Sequence, residues 1–123
     1  METTLQEEPT PFLANKSGTA LYAWRRSLGV NRETFARLAN CSERTLATYE
    51  KQTKLPAIIQ PQINEGVRLL EALVEIIPAE DLQEWLHQPN QGFGGKAPWA
   101  LILDGERDLI WEMIHQTRQG SFA

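Results

Sequence analysis

Arg44, Thr45 and Thr48, with Ser42 and Glu43 before them and Lys51 after, bring a guanidinium, hydroxyls, a carboxylate and an ammonium into one short stretch. At helical spacing these side chains share a face that donates to phosphate oxygens and to base edges. No nucleophile–base pair accompanies them, so the chemistry this stretch suits is the reading of nucleic acid. Arg32 and Lys54 add cations suited to phosphate contact, which makes binding fall steeply with salt.

The other reactive residue types do not assemble into a catalytic or metal site. His87 and His115 stand far apart, with no second His or Cys at ligand spacing. Phe93-Gly94-Gly95-Lys96 has the glycines of a phosphate loop but lacks the preceding strand, the full glycine spacing and the Lys-Ser/Thr ending. Asp104, Glu106 and Asp108 lack the longer oxygen-ligand pattern of a cation loop and flank a helix start, where acids are favourable. The chain is therefore read as a non-enzyme with no cofactor, no metal and no small-molecule substrate. Its one cysteine, Cys41, excludes an internal disulfide and, among apolar neighbours, is expected as a core thiol in a reducing cytoplasm. No apolar run approaches the roughly 20 residues a bilayer needs, so a soluble cytoplasmic protein without membrane contact is expected.

Charge is segregated along the chain. The overall net charge is −4, yet Thr19 to Pro56 holds seven basic against three acidic residues, and the stretch after Pro56 holds four against ten. A basic module joined to an acidic one suits two partners, a phosphate backbone and a protein surface, although ordinary surface charge also produces such a split. With 123 residues, 41% of them hydrophobic, the chain makes one compact domain or two small ones sharing a core.

The elements that position these residues follow from periodicity. Residues 1–18 read as a flexible arm, with Phe12 and Leu13 as an anchoring contact. A helix capped by Ser17 or Thr19 runs to Leu28, buries Leu21, Trp24 and Leu28, and stops at Gly29. Arg25 and Arg26 fall off its apolar stripe, as phosphate contacts or solvated arginines. Asn31 caps a second helix with an apolar stripe of Phe35, Ala36, Leu38 and Ala39. Asn40 then takes the left-handed conformation usually given to glycine, and Ser42 caps a third helix over Glu43 to Gln52 that buries Leu46 and Tyr49. Pro56 blocks continuation.

Leu21 to Pro56 resembles the Xre or Cro/C1-type helix-turn-helix. The resemblance rests on Arg25, Phe35-Ala36, Leu38-Ala39, Cys41-Ser42, Thr45-Leu46, Tyr49-Glu50 and Pro56. The family often has Gln where this chain has Arg32, and Gly where it has Asn40 and Gln52. The resemblance implies a DNA-binding domain over residues 19–60, with Ser42, Glu43, Arg44, Thr45 and Thr48 reading DNA and Arg32, Lys51 and Lys54 on its phosphates.

Beyond a connector over Ala57 to Gln62, the residues Ile63, Val67, Leu70, Leu73, Val74 and Ile77 form the longest apolar face in the chain. Val67, Leu70 and Val74 are the expected dimer contact, with the terminal helices as the second choice. A further helix from Ala79 buries Leu82, Trp85 and Leu86 and closes at Pro89-Asn90. A glycine loop around Phe93 follows, then a short helix over Trp99 to Asp104 behind Pro98. The last helix, Glu106 to Arg118, turns Leu109, Ile110, Met113 and Ile114 inward.

This second half, residues 61–123, resembles the C-terminal domain of the MbcA/ParS/Xre antitoxins through Trp85-Leu86, Pro89-Asn90, Phe93-Gly94-Gly95, Pro98, Leu101, Gly105 and the helix before Gly120. Trp99 and Trp111 stand where smaller aliphatic residues are expected. The resemblance implies an antitoxin whose C-terminal half binds and blocks a RES-domain toxin, a class acting on NAD, and whose N-terminal half binds its own operator as a homodimer. Gly94, Gly95, Lys96, Trp111, His115, Arg118, Ser121 and Phe122 are the expected toxin face. A solitary transcription regulator whose C-terminal domain only dimerises, and an interaction module with a vestigial helix-turn-helix, are the alternatives.

Overall fold

Helix caps divide the chain much as its sequence suggests. The structure, a computed structural model, describes residues 17–120, and these contain no strand. The helices are α1 (Gly18–Ser27), α2 (Arg32–Leu38), α3 (Glu43–Tyr49), α4 (Gln60–Val74), α5 (Ala79–His87), α6 (Pro98–Leu103) and α7 (Arg107–Arg118), with a 3-10 turn at Gln91–Phe93. The expected all-α fold is observed. Phe12, Leu13 and most of the expected arm lie outside the described residues. No described helix is long and apolar enough to cross a membrane.

Each early helix starts on a side-chain oxygen. Ser17, Asn31 and Ser42 accept from the N–H groups of Ala20, Thr34 and Thr45, each worth about 1 kcal/mol. Helix α1 ends with Gly29 at φ 70°, where Val30 N–H reaches Arg25 O and Gly29 N–H reaches Arg26 O. The same double bond closes α2, with Cys41 N–H on Ala36 O and Asn40 N–H on Arg37 O. There the left-handed residue is Asn40, at φ 56° the sole non-glycine with positive φ among the described residues. Helix α3 stops three residues earlier than expected, at Tyr49, and Gln52 does not enter the left-handed region. Helix α4 starts three residues before Ile63, because Pro61 fits the first helical turn.

One contiguous core holds these helices. Leu21, Phe35, Leu38 and Leu46 from the first half join Ile63, Val67, Leu70 and Leu73 of α4 and Leu82, Leu86, Leu101, Ile110 and Ile114 beyond. Two close approaches make it possible. A Cβ on Gly66 would stand 3.1 Å from the Phe35 ring, so glycine lets α2 press its phenylalanine onto the α4 backbone. A Cβ on Gly18 would collide with the carbonyl oxygen of Tyr49, where Thr19 N–H donates to Gln52 O at 3.2 Å.

Three expectations are corrected here. Val67 and Leu70 are fully enclosed by their own chain, so they do not offer a dimer surface; Val74, at the end of α4, is half-buried. Arg25 is not a surface arginine but is 3% exposed. Leu109 does not face inward: Ile110 and Ile114 set the rotation of α7, and the 100° step per residue leaves Leu109 43% exposed.

Candidate functional site

The α2–turn–α3 unit presents Ser42, Glu43, Arg44 and Thr48 to solvent, with Thr45 half-buried beside them. Their hydrogen bonds already assign some roles. Ser42 Oγ accepts from Thr45 N–H at 3.0 Å and donates to Thr45 Oγ1 at 2.9 Å. Thr48 Oγ1 donates to Arg44 O at 3.1 Å, so the exposed hydroxyl retains acceptor capacity only. Arg44, Lys51 and Lys54 are exposed and make no ion pair with another described residue. Lys51 and Lys54 sit beyond the end of α3, on the loop toward Pro56.

Arg32 is held from behind. Buried Glu50 accepts from Arg25 Nε at 2.7 Å and Arg25 Nη2 at 2.9 Å, while Arg25 Nη1 donates to Val30 O at 3.0 Å. The same carboxylate accepts from Arg32 Nε at 3.1 Å. Arg32 remains 38% exposed, so its outer nitrogens can meet an anion while its inner edge is fixed. Charge in the cluster is two guanidinia against one carboxylate. Cys41, expected in the core, is instead half-buried; desolvation pushes its thiol pKa up, and the Glu50 carboxylate adds to the rise. It lines a cleft of about 500 Å³ beside the helix-turn-helix turn, with Glu33, Arg37, Asn40 and Glu43.

The carbonyls around that turn are satisfied from the second half of the chain. Arg107 donates to Leu38 O at 2.9 Å and Arg37 O at 3.4 Å, and Gln62 donates to Asn40 O at 2.7 Å and Ala39 O at 3.3 Å. At the start of α2, Gln83 accepts from Asn31 N–H at 3.1 Å and donates to Thr34 Oγ1 at 3.2 Å, and His87 Nε2 lies 3.1 Å from the same hydroxyl. Of these partners only His87 is singled out in the sequence, and there as a candidate metal ligand rather than a support for α2. Each lies 22 to 70 residues from the group it meets, and local periodicity carries no signal of such pairing.

The glycine loop is organised by Asn90. Its side chain accepts from Gly92 N–H at 2.8 Å, its carbonyl accepts from Gly95 N–H at 3.0 Å, and its N–H donates to Lys96 O at 3.1 Å. Gly94 and Gly95 take φ of 67° and 88°. Phe93 is half-buried and meets Trp85 edge-on, 6.5 Å between ring centroids. Trp99 lies against His87 at 4.7 Å and Trp111 against His115 at 6.2 Å.

The expected toxin-face residues are not gathered into one patch. The loop side of α7 is formed by Leu109, Glu112, Met113 and Gln116 against Gly92 and Phe93. Trp111, His115 and Arg118 follow at i, i+4 and i+7 on another face, where Arg118 pairs with Glu75 at 3.2 Å. Lys96 is exposed and pairs loosely with Asp104 at 3.8 Å. Ser121 and Phe122 lie outside the described residues. Among the described residues no group of acids, histidines and cysteine is placed to hold a metal.

Over 97 residues the chain is 25% identical to the mycobacterial cidal antitoxin MbcA of Mycobacterium tuberculosis and of Mycobacterium bovis. The match covers 78% of this chain and 86% of each antitoxin. This similarity supports an antitoxin role. No protein-family profile and no solved structure matches the chain.

Proposed function

We propose that the chain is the antitoxin of a type II toxin–antitoxin pair, that it neutralises a RES-domain toxin by direct binding, and that it represses its own operon through α2 and α3. The observation that carries this reading is a match spanning most of both chains to an antitoxin, on a protein that also exposes Arg44, Thr48 and Lys51 at a helix-turn-helix. In mechanism, α3 enters the major groove, Arg44 and Thr48 meet base edges, and Arg32, Lys51 and Lys54 hold phosphates. The acidic second half engages the toxin, so the protein acts by binding and not by catalysis. Repression by a homodimer fits the symmetry of two half-sites. The test is co-expression with the product of the neighbouring reading frame, read as relief of growth arrest, together with a mobility shift on the upstream DNA. Arg44→Ala is expected to weaken the shift and leave the relief intact. Equal loss of both in a folded variant overturns the division of labour.

A further inference from the structure

Leu109 is an apolar side chain 43% exposed on a helix whose other large aliphatics, Ile110 and Ile114, are fully enclosed. It is not isolated. With Phe93 and Met113 it lines an open groove of about 420 Å³ between the glycine loop and α7, completed by Gly92, Glu112 and Gln116. Phe93 is fixed in place by the Asn90 loop and by Trp85, so the wall of the groove is formed before any partner arrives.

The charges around this groove are of one sign. Glu112 lines it, and Asp108 lies one turn before Glu112 on the same exposed side of α7. No lysine or arginine lines it. The three nearest in sequence pair elsewhere: Arg107 with the carbonyls of α2, Arg118 with Glu75, and exposed Lys96 loosely with Asp104. An apolar floor with the Glu112 carboxylate in its lining, Asp108 one turn away and no cation lining it is complementary to a segment that brings both an apolar side chain and positive charge.

We infer that the groove between Phe93 and α7 is the seat of the toxin, and that it receives a toxin segment carrying an aliphatic or aromatic side chain flanked by lysine or arginine. This rests on the antitoxin reading and makes it specific. The contact centres on Leu109, Met113 and Phe93, three residues outside the set first expected, while Trp111, His115 and Arg118 lie on another face of the helix. Glu112 and Asp108 supply attraction and register.

The experiment measures affinity between the full chain and the purified product of the neighbouring reading frame, by calorimetry at two salt concentrations, with folding of each variant checked by circular dichroism. Leu109→Glu is expected to weaken binding at least about tenfold, as for a central apolar anchor. Glu112→Lys is expected to weaken it several-fold and to flatten the salt dependence. Ile58→Glu, at an apolar residue 83% exposed before α4, is the control and leaves affinity unchanged. If the wild-type pair binds and both groove variants bind as tightly, the groove is not the seat, and the antitoxin reading stands. If Leu109→Glu instead converts a dimer of this chain into a monomer without touching toxin affinity, the groove belongs to a second copy and the inference is overturned. If the wild-type chain neither binds that product nor relieves its toxicity, the antitoxin reading itself fails, and the groove assignment with it.

Discussion

Arg107 Nη1 donates to the carbonyl of Leu38 at 2.9 Å across 69 residues of sequence. This contact joins the first residue of α7 to the end of the first helix of the helix-turn-helix. With Gln62 it completes the satisfaction of carbonyls that a helix end otherwise leaves to water. Helix α7 and the α2–turn–α3 unit are thereby parts of one hydrogen-bonded body.

Arg107→Ala is expected to lower stability by about 1–2 kcal/mol, in the range for a charge-assisted bond that is partly buried. Arg107→Lys restores only part, since a single ammonium nitrogen lacks the planar fork whose two nitrogens each reach one carbonyl. Urea unfolding at neutral pH reads both. An unchanged midpoint in the alanine variant means that water replaces the guanidinium without cost.

The buried carboxylate of Glu50 makes a stronger prediction. Glu50→Ala leaves Arg25 as an uncompensated charge at 3% exposure, and the expected loss is about 3–5 kcal/mol. Replacing both partners, Arg25→Met with Glu50→Leu, is expected to recover most of it, because the cost lies in the orphaned ion and not in the absent pair. A double variant as unstable as Glu50→Ala contradicts this account.

The limits of sequence reading have the same physical origin as these two predictions. Ser17, Asn31 and Ser42 as caps, and Gly29 and Asn40 as left-handed stops, were legible because each acts on backbone within a few residues of itself. Arg25 was misplaced because charge type argues for the surface, and only the arrival of Glu50 from 25 residues away makes burial tolerable. Val67 and Leu70 were read correctly as apolar and wrongly as a dimer face, since periodicity shows that a face must be covered and not by which chain. For α7 the helix was legible but its rotation was not: Leu109 and Ile110 are equally apolar, and packing against α4 and α6 decides between them. The joint exposure of Ser42, Glu43, Arg44 and Thr48 was therefore legible, and the exposure of Leu109 was not.

Asn40 tests the turn directly. Held at φ 56°, it sits where a residue with a Cβ loses about 1–2 kcal/mol, and Asn softens that cost with its short polar side chain. Asn40→Gly is expected to hold or raise stability, and Asn40→Val to lower it by at least about 1 kcal/mol. Thermal unfolding of the pair against wild type reads the difference. Equal stability of the two variants would remove the left-handed requirement.

Glu71 carries a pH prediction. Desolvation raises its pKa above the ordinary value of 4.5, Arg68 opposes the rise and Glu75 adds to it. A folded pKa above the unfolded one means the folded chain binds the proton more tightly, so this group's contribution is present below about pH 4.5 and is lost as pH rises through the higher folded value. At neutral pH the ionised carboxylate opposes folding. Glu71→Gln is therefore expected to stabilise at pH 7, chiefly by relieving desolvation of the carboxylate and then its repulsion from Glu75. The gain shrinks toward zero at pH 4. Denaturation of wild type and variant at the two pH values checks the sign, and a gain that grows on acidification refutes it.

The proposed DNA face makes its prediction through salt. Lys51 and Lys54 lie beyond α3, exposed and without an ion pair among the described residues, in a position suited to phosphates and not to bases. Lys54→Gln is expected to weaken binding to the upstream DNA and to an unrelated duplex by similar factors, and to reduce the slope of log affinity against log salt by about 1. Arg44→Ala, on α3 itself, is expected to act unequally, costing about 1–3 kcal/mol on the operator and much less on the unrelated duplex. Fluorescence anisotropy across a salt series separates the two behaviours. Were Arg44→Ala to weaken both duplexes alike, Arg44 would be a phosphate contact, and sequence reading by α3 would rest on Ser42, Thr45 and Thr48. Their hydroxyls are already partly engaged within the helix, Ser42 with Thr45 and Thr48 with the Arg44 carbonyl. Arg44 is therefore expected to carry most of the proposed discrimination by α3.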